Sequence, residues 1–103
     1  MTERFTEQSE RGEYLLDRKR YASWSTPLRD HCLRFVWMLR KAQRSRNPLW
    51  RLCLHRMRER YGLEIYPETI IGPGLYLGHG YGITVNAAAV IGCNVNLHKG
   101  VTI

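Results

Sequence analysis

Aliphatic residues recur every six positions through the second part of this 103-residue chain: Ile65, Ile71, Leu77 and Ile83, then Val85, Ile91, Leu97 and Ile103. A half-buried strand alternates by two and a helix by 3.6, so neither explains the spacing. One short strand and one corner per six residues does, and that is the pattern of a hexapeptide β-helix, in which three repeats close one triangular coil.

A second inward position, four residues after each aliphatic, holds Thr69, Leu75, Tyr81, Ala89, Val95 and Val101; all but Tyr81 suit a narrow interior. The slot after each aliphatic holds Tyr66, Gly72, Gly78, Asn86, Gly92 and His98. Gly and Asn tolerate the corner conformations without steric cost. Between Leu77 and Val85 the phase slips by two residues, which predicts an outward bulge over Tyr81–Thr84 around Gly80 and Gly82.

From Ile65 to Ile103 there are 39 residues, about two coils. Stacked repeats need roughly three units to bury a continuous core. The last residue is an inward-type Ile, so the expectation is the front part of a longer protein, incomplete at its C-terminus, with an open edge available for pairing and prone to association.

Charge divides the chain. Residues 1–62 hold 15 of the 16 Lys and Arg but seven of the nine acids, and from Arg18 to Arg60 there are 13 basic and two acidic residues. A basic stripe attracts nucleic acid, anionic membrane surfaces or anionic substrates. Zinc-finger spacing, RNA-binding aromatic signatures and a helix-turn-helix are all missing, so nucleic acid is not expected. The simplest reading is a solvated helical face. Peripheral contact with a membrane surface is the second, because Trp24, Trp37 and Trp50 lie among the basic residues.

Cys32, Cys53 and Cys93 are too few and too scattered for a disulfide framework. His31 with Cys32, and Cys53 with His55, lack the spacing of a structural zinc site, so no metal is expected. The N-terminal residues carry no apolar signal segment, and no run approaches the roughly 18 apolar residues of a membrane span. A cytoplasmic location is the expectation.

Residues 1–12 are polar and read as a frayed start, followed by a short helix over Glu13–Tyr21. Thr26-Pro27 predicts a helix opening, with Leu28, Cys32, Phe35, Val36 and Leu39 on one apolar stripe. Asn47-Pro48 repeats the signal, opening a helix through about Tyr61 with Leu49, Leu52, Cys53 and Met57 inward, and Gly62 fits the left-handed residue that closes it. The predicted class is α+β: a basic helical region over 1–62, packed on the first coil or on another subunit, then an incomplete repeat region over 63–103.

The run Leu63-Glu64-Ile65-Tyr66-Pro67 and then Ile71-Gly72-Pro73-Gly74-Leu75-Tyr76-Leu77-Gly78-His79-Gly80-Tyr81-Gly82-Ile83 closely resembles the serine acetyltransferase branch of the hexapeptide-repeat acyltransferases. The resemblance is strong over Gly62–Ile103 and loose in the helical half. It implies a left-handed parallel β-helix, acetyl-CoA as acyl donor bound between neighbouring solenoids of a homotrimer, and direct acetyl transfer to an acceptor hydroxyl. It also implies that His79 is the general base and that Glu64, fifteen residues earlier, orients it, although the family usually has Asp there. On an 18-residue coil that spacing puts the two about one coil apart, separated by one strand spacing of roughly 4.8 Å. A neutral imidazole with a pKa of about 6.5 can take a hydroxyl proton at neutral pH, and a carboxylate on its other nitrogen fixes the tautomer.

Gly78, Gly80 and Tyr81 are the candidate acceptor contacts beside the base. The donor contacts of the family come mostly from later coils, and none is assigned here. Serine-binding members carry Asp directly before the base, where this chain has Gly78, and tend to have His where Tyr66 stands. Two acceptors therefore stay open: L-serine, giving O-acetylserine for cysteine biosynthesis, and a sugar hydroxyl in capsule or surface polysaccharide assembly. A reading of another class is an inactive solenoid that serves in assembly. His98 and Lys99 fall at an outward corner, and Cys93, with no base near it in sequence, is a weak nucleophile candidate.

Overall fold

The computed structural model describes residues 7–103, with side chains from Glu13 onward. It has three α-helices, α1 (Glu7–Lys19), α2 (His31–Arg44) and α3 (Pro48–Tyr61), followed by six short strands. The strands are β1 (Leu63–Glu64), β2 (Ile70–Ile71), β3 (Tyr76–Gly78), β4 (Ile83–Thr84), β5 (Val90–Ile91) and β6 (Asn96–His98). The class is α+β, as expected.

Each strand pairs in parallel with the one three places on: β1 with β4, β2 with β5, β3 with β6. The registers Leu63↔Ile83, Ile71↔Ile91 and Leu77↔Leu97 share one offset of twenty residues. The chain thus returns over itself after a circuit of three hexapeptides plus the two residues of the phase slip. A further bridge, Thr84↔Thr102, returns to an offset of eighteen. The slip therefore belongs to the first circuit alone. The excursion lies two residues earlier than the expected Tyr81–Thr84: Ile83 is buried and already back in register, so it spans His79–Gly82, and only Tyr81 of the inward series in that circuit is turned out.

Ile65, Ile71, Leu75, Leu77, Ile83, Val85, Ile91 and Leu97 are buried, as the six-residue period requires. Two circuits approach closely at Gly72, where an added Cβ would lie 2.8 Å from the carbonyl carbon and oxygen of Gly92. A side chain there would meet backbone that cannot yield.

The helical half departs from expectation in detail. Residues 1–6 lie outside the described residues; α1 starts at Glu7, earlier than the expected Glu13, and ends at Lys19. Thr26-Pro27 opens only a single turn, in which Thr26 accepts from Arg29 and Asp30. Asp30, in extended conformation, then caps α2 by accepting from the Cys32 N–H at 2.9 Å. Leu28 precedes that cap and is 89% exposed, while Cys32, Phe35, Val36 and Leu39 are buried. In α3 the cap is as expected: Asn47 accepts from Leu49, Pro48 opens the first turn, and Gly62 closes it at φ 66°. Its buried stripe is not. Met57 is buried as expected and Cys53 half-buried, but Leu49 and Leu52 are exposed, and Trp50, Leu54 and Tyr61 face the core in their place.

The helices lie on the first circuit and satisfy its open backbone edge. Asp17, fully buried on α1, accepts from the Gly74 and Leu75 N–H groups at 2.8 and 2.7 Å. Arg40, buried on α2, holds both Asp17 oxygens (2.7 and 3.2 Å) and donates to the carbonyls of Ile71 and Gly72. The Tyr21 hydroxyl accepts from Leu77, Arg20 donates to Gly74, and Gln43 to Thr69. Unpaired strand edges recruit other chains unless covered, and here polar side chains of α1 and α2 cover one. Two residues of the basic stripe, Arg20 and Arg40, thus point inward to backbone. Trp37 and Trp50 meet edge to face at 5.5 Å with Lys41 over both rings, and Trp24 is exposed.

Candidate active site

The His79–Gly82 excursion is built from glycine on both sides of one functional side chain. Gly78 ends β3, and Gly80 and Gly82 follow, with Gly82 at φ 63°. His79 itself adopts a left-handed backbone, φ 49°, and is exposed. That conformation is uncommon for a residue with a Cβ and persists only where the surroundings impose it.

The imposing groups come from the helices. His31, first residue of α2, places Nε2 3.0 Å from the Gly80 carbonyl, so this nitrogen carries the proton and donates. Its ring stacks on Tyr61 at 4.4 Å and meets Tyr81 at 4.7 Å. The Gly82 N–H donates to the Tyr61 carbonyl at 3.1 Å, and Arg34 donates to the Tyr61 hydroxyl. Gly80 packs so tightly on α2 that an added Cβ would sit 2.5 Å from the Cys32 sulfur. Inside the excursion the Tyr81 N–H donates to the His79 carbonyl at 2.7 Å. The three residues after His79 are therefore pinned, and the imidazole projects from a fixed backbone.

Glu64 is exposed on β1, and its register partner in the next circuit is Thr84. Glu64 and His79 are fifteen residues apart along the first, twenty-residue circuit, His79 falling five residues short of a full return. Among the described residues no side-chain hydrogen bond joins them. Gly78 is buried, Gly80 is buried against Cys32, and Tyr81 is half-exposed over the His31 ring.

His98 is the register partner of Gly78, and its ring overhangs that glycine. His31 is the residue that sequence reasoning missed: weighed there only as a metal ligand, it is a loop anchor. No local signal could reveal this, because its partner is a backbone carbonyl 49 residues away.

Asp30, His31 and Cys32 bring three donor atoms within 4.8 Å of one another. Asp30 already caps α2 and His31 already donates to Gly80, while Cys32 is buried with its thiol pushed up to about 11 by that burial. The cluster fits packing better than coordination. Cys93 is exposed on the corner between β5 and β6.

No protein-family model matches the chain. Curated relatives match over short stretches. Serine acetyltransferase 2 of Arabidopsis thaliana is 42% identical over 48 residues, 47% of this chain and 15% of that protein. The chloroplastic serine acetyltransferase 1 of the same plant is 32% identical over 71 residues, 61% of this chain and 23% of its own length. Serine acetyltransferase of Staphylococcus aureus (strain N315) is 40% identical over 42 residues, 41% of this chain and 20% of that protein. Over these stretches the chain is similar to serine acetyltransferases. It spans less than a quarter of the length of each of the three relatives. Among the described residues no helix is long and apolar enough to cross a membrane.

Proposed function

We propose that this chain belongs to an acetyl-CoA-dependent O-acetyltransferase of the serine acetyltransferase type, in which His79 is the general base. The observation that carries the reading is the exposed imidazole of His79 on a left-handed backbone, clamped through Gly80 and Gly82 by α2 and α3. The similarity to serine acetyltransferases supports it.

In this reading His79 takes the acceptor hydroxyl proton as the oxygen attacks the thioester carbonyl. The tetrahedral intermediate collapses, the C–S bond breaks, and the imidazolium returns the proton to the departing thiolate. General-base assistance of this kind contributes about 10²–10⁴-fold. Glu64 is the carboxylate assigned to orient the imidazole in the reacting complex, since among the described residues of the chain alone no side-chain hydrogen bond joins the two. The twenty-residue first circuit and the chain laid over it form the first turns of a left-handed parallel β-helix, a reading supported by the three parallel pairings at one offset.

The donor lies between neighbouring copies of a homotrimer. Ile70 and Val90 are register partners, 67% and 71% exposed, and such an unpartnered aliphatic pair favours an assembled state. Three free thiols support a reducing compartment, the cytoplasm. The acceptor class is L-serine by the names of the relatives, or a sugar hydroxyl by the glycine before the base.

The test is release of CoA thiol from acetyl-CoA in the presence of L-serine or of simple sugars. Acceptor-dependent release supports the reading, and its lack with every acceptor, from folded protein, defeats it. Glu64→Gln separates the dyad from the base: a fall of about tenfold or more in kcat is expected, and an unchanged kcat removes Glu64 from the mechanism.

A further inference from the structure

Gly78 has no side chain, yet the space beside it is filled. A Cβ built on Gly78 would lie 2.5 Å from Nδ1 and 2.8 Å from Cε1 of His98, whose backbone sits in register one circuit on. The same offset lays Asn94 over Gly74, four residues earlier, but only His98 overhangs the residue that adjoins His79. The next residue, Lys99, donates its N–H to the Gly78 carbonyl at 3.1 Å, so a lysine follows along the same edge.

The charge around this edge is one-sided. Between residues 63 and 103 the acids are Glu64 and Glu68, and Glu68 is taken by Arg51, whose hydrogen bond holds its carboxyl below the usual range. The side chains that flank His79 are instead an imidazole over Gly78 and the half-exposed ring of Tyr81. An ammonium group brought there would find no uncommitted carboxylate among residues 63–103, since Glu64 is assigned to His79 and Glu68 is held by Arg51. Hydroxyl groups would find an imidazole and an aromatic face, the mixture of apolar wall and few polar groups that small-molecule sites use.

We propose that His98 is a specificity-determining residue, which occupies the place of the missing residue-78 side chain and selects a hydroxyl acceptor without a cationic group over an amino acid. The inference rests on the reading of His79 as base, and its test is chosen to fail separately from it.

The imidazole Cε1–H signals of the four histidines are followed by NMR in the full chain while methyl α-D-glucopyranoside, methyl α-D-galactopyranoside, methyl α-D-mannopyranoside or L-serine is added without donor. At least one glycoside should shift the His98 signal saturably, and L-serine at equal concentration should not. His98→Ala should weaken glycoside binding at least tenfold, read on His79, without altering the melting temperature. Combining His98→Ala with Gly78→Asp should bring L-serine binding that neither wild type nor His98→Ala shows. A His98 signal that ignores all three glycosides, a response to L-serine as strong as to any glycoside, or a His98→Ala variant with unchanged affinity overturns the proposal. Acetyl transfer that survives His79→Ala defeats the base assignment instead, whatever His98 does.

Discussion

Asp17 on α1 and Arg40 on α2 form a buried ion pair whose remaining hydrogen bonds go mainly to the backbone of a single segment, Ile71 to Leu75. Arg40 also donates to Gln43 and lies 3.6 Å from Glu13, so the cation is enclosed on every side. The pair joins the helices to the first circuit. A buried pair is weak evidence of net stabilisation, but removing one member strands the other.

Asp17→Ala is therefore expected to cost about 3–5 kcal/mol, because it leaves a buried guanidinium and two unpaired N–H groups. Urea unfolding measures it. Replacing both Asp17 and Arg40 with apolar residues should cost less than the sum of the single changes, since no charge then remains buried.

His31→Leu should lower kcat for acetyl transfer, because the Gly80 carbonyl loses its donor and the ring stack on Tyr61 and Tyr81 goes with it. His31→Gln, which keeps an N–H at similar reach, should recover part of the loss. The stability cost of the Leu variant is expected at about 1–3 kcal/mol. Equal kcat in wild type and His31→Leu would show that the clamp does not position the base.

Much of this arrangement is legible in the sequence and part of it is not, for physical reasons. The six-residue period places Ile65, Ile71 and Leu77 inward, and the two-residue slip after Leu77 appears as the twenty-residue offset. Asn47-Pro48 and Gly62 carry their own local chemistry and bound α3 as read. Thr26-Pro27 misleads because Asp30 is the stronger cap and interrupts the turn. Leu49 and Leu52 mislead because the face of α3 that packs is chosen by α2 and β1, not by which leucines it carries. The roles of Asp17, Arg40 and His31 depend on partners 23 to 58 residues away, which no local pattern encodes.

Gly80→Ala is expected to destabilise by about 1–3 kcal/mol, since its methyl group would press on the buried Cys32 sulfur. Cys32→Ala in the same chain should relieve most of that clash. A double-mutant cycle on melting temperature reads the coupling, and additive effects would disprove the contact.

Cys32 sets a pH dependence. Burial lifts its thiol from 9.0 to about 11, so the folded state keeps the proton that the unfolded state gives up. The stabilisation is complete below about pH 9 and is lost as pH rises from there toward 11. Wild type should lose stability over that window more steeply than Cys32→Ala. At neutral pH, exposed Cys93 should react with a thiol reagent well before buried Cys32.

The measurement that bears most directly on the reading is acetyl transfer by His79→Ala against wild type, with melting temperature followed in parallel. Because His79 is exposed, folding should be unaffected, while kcat falls by about 10²–10⁴. Transfer within a few-fold of wild type by the folded variant would contradict the assignment of this imidazole as the base.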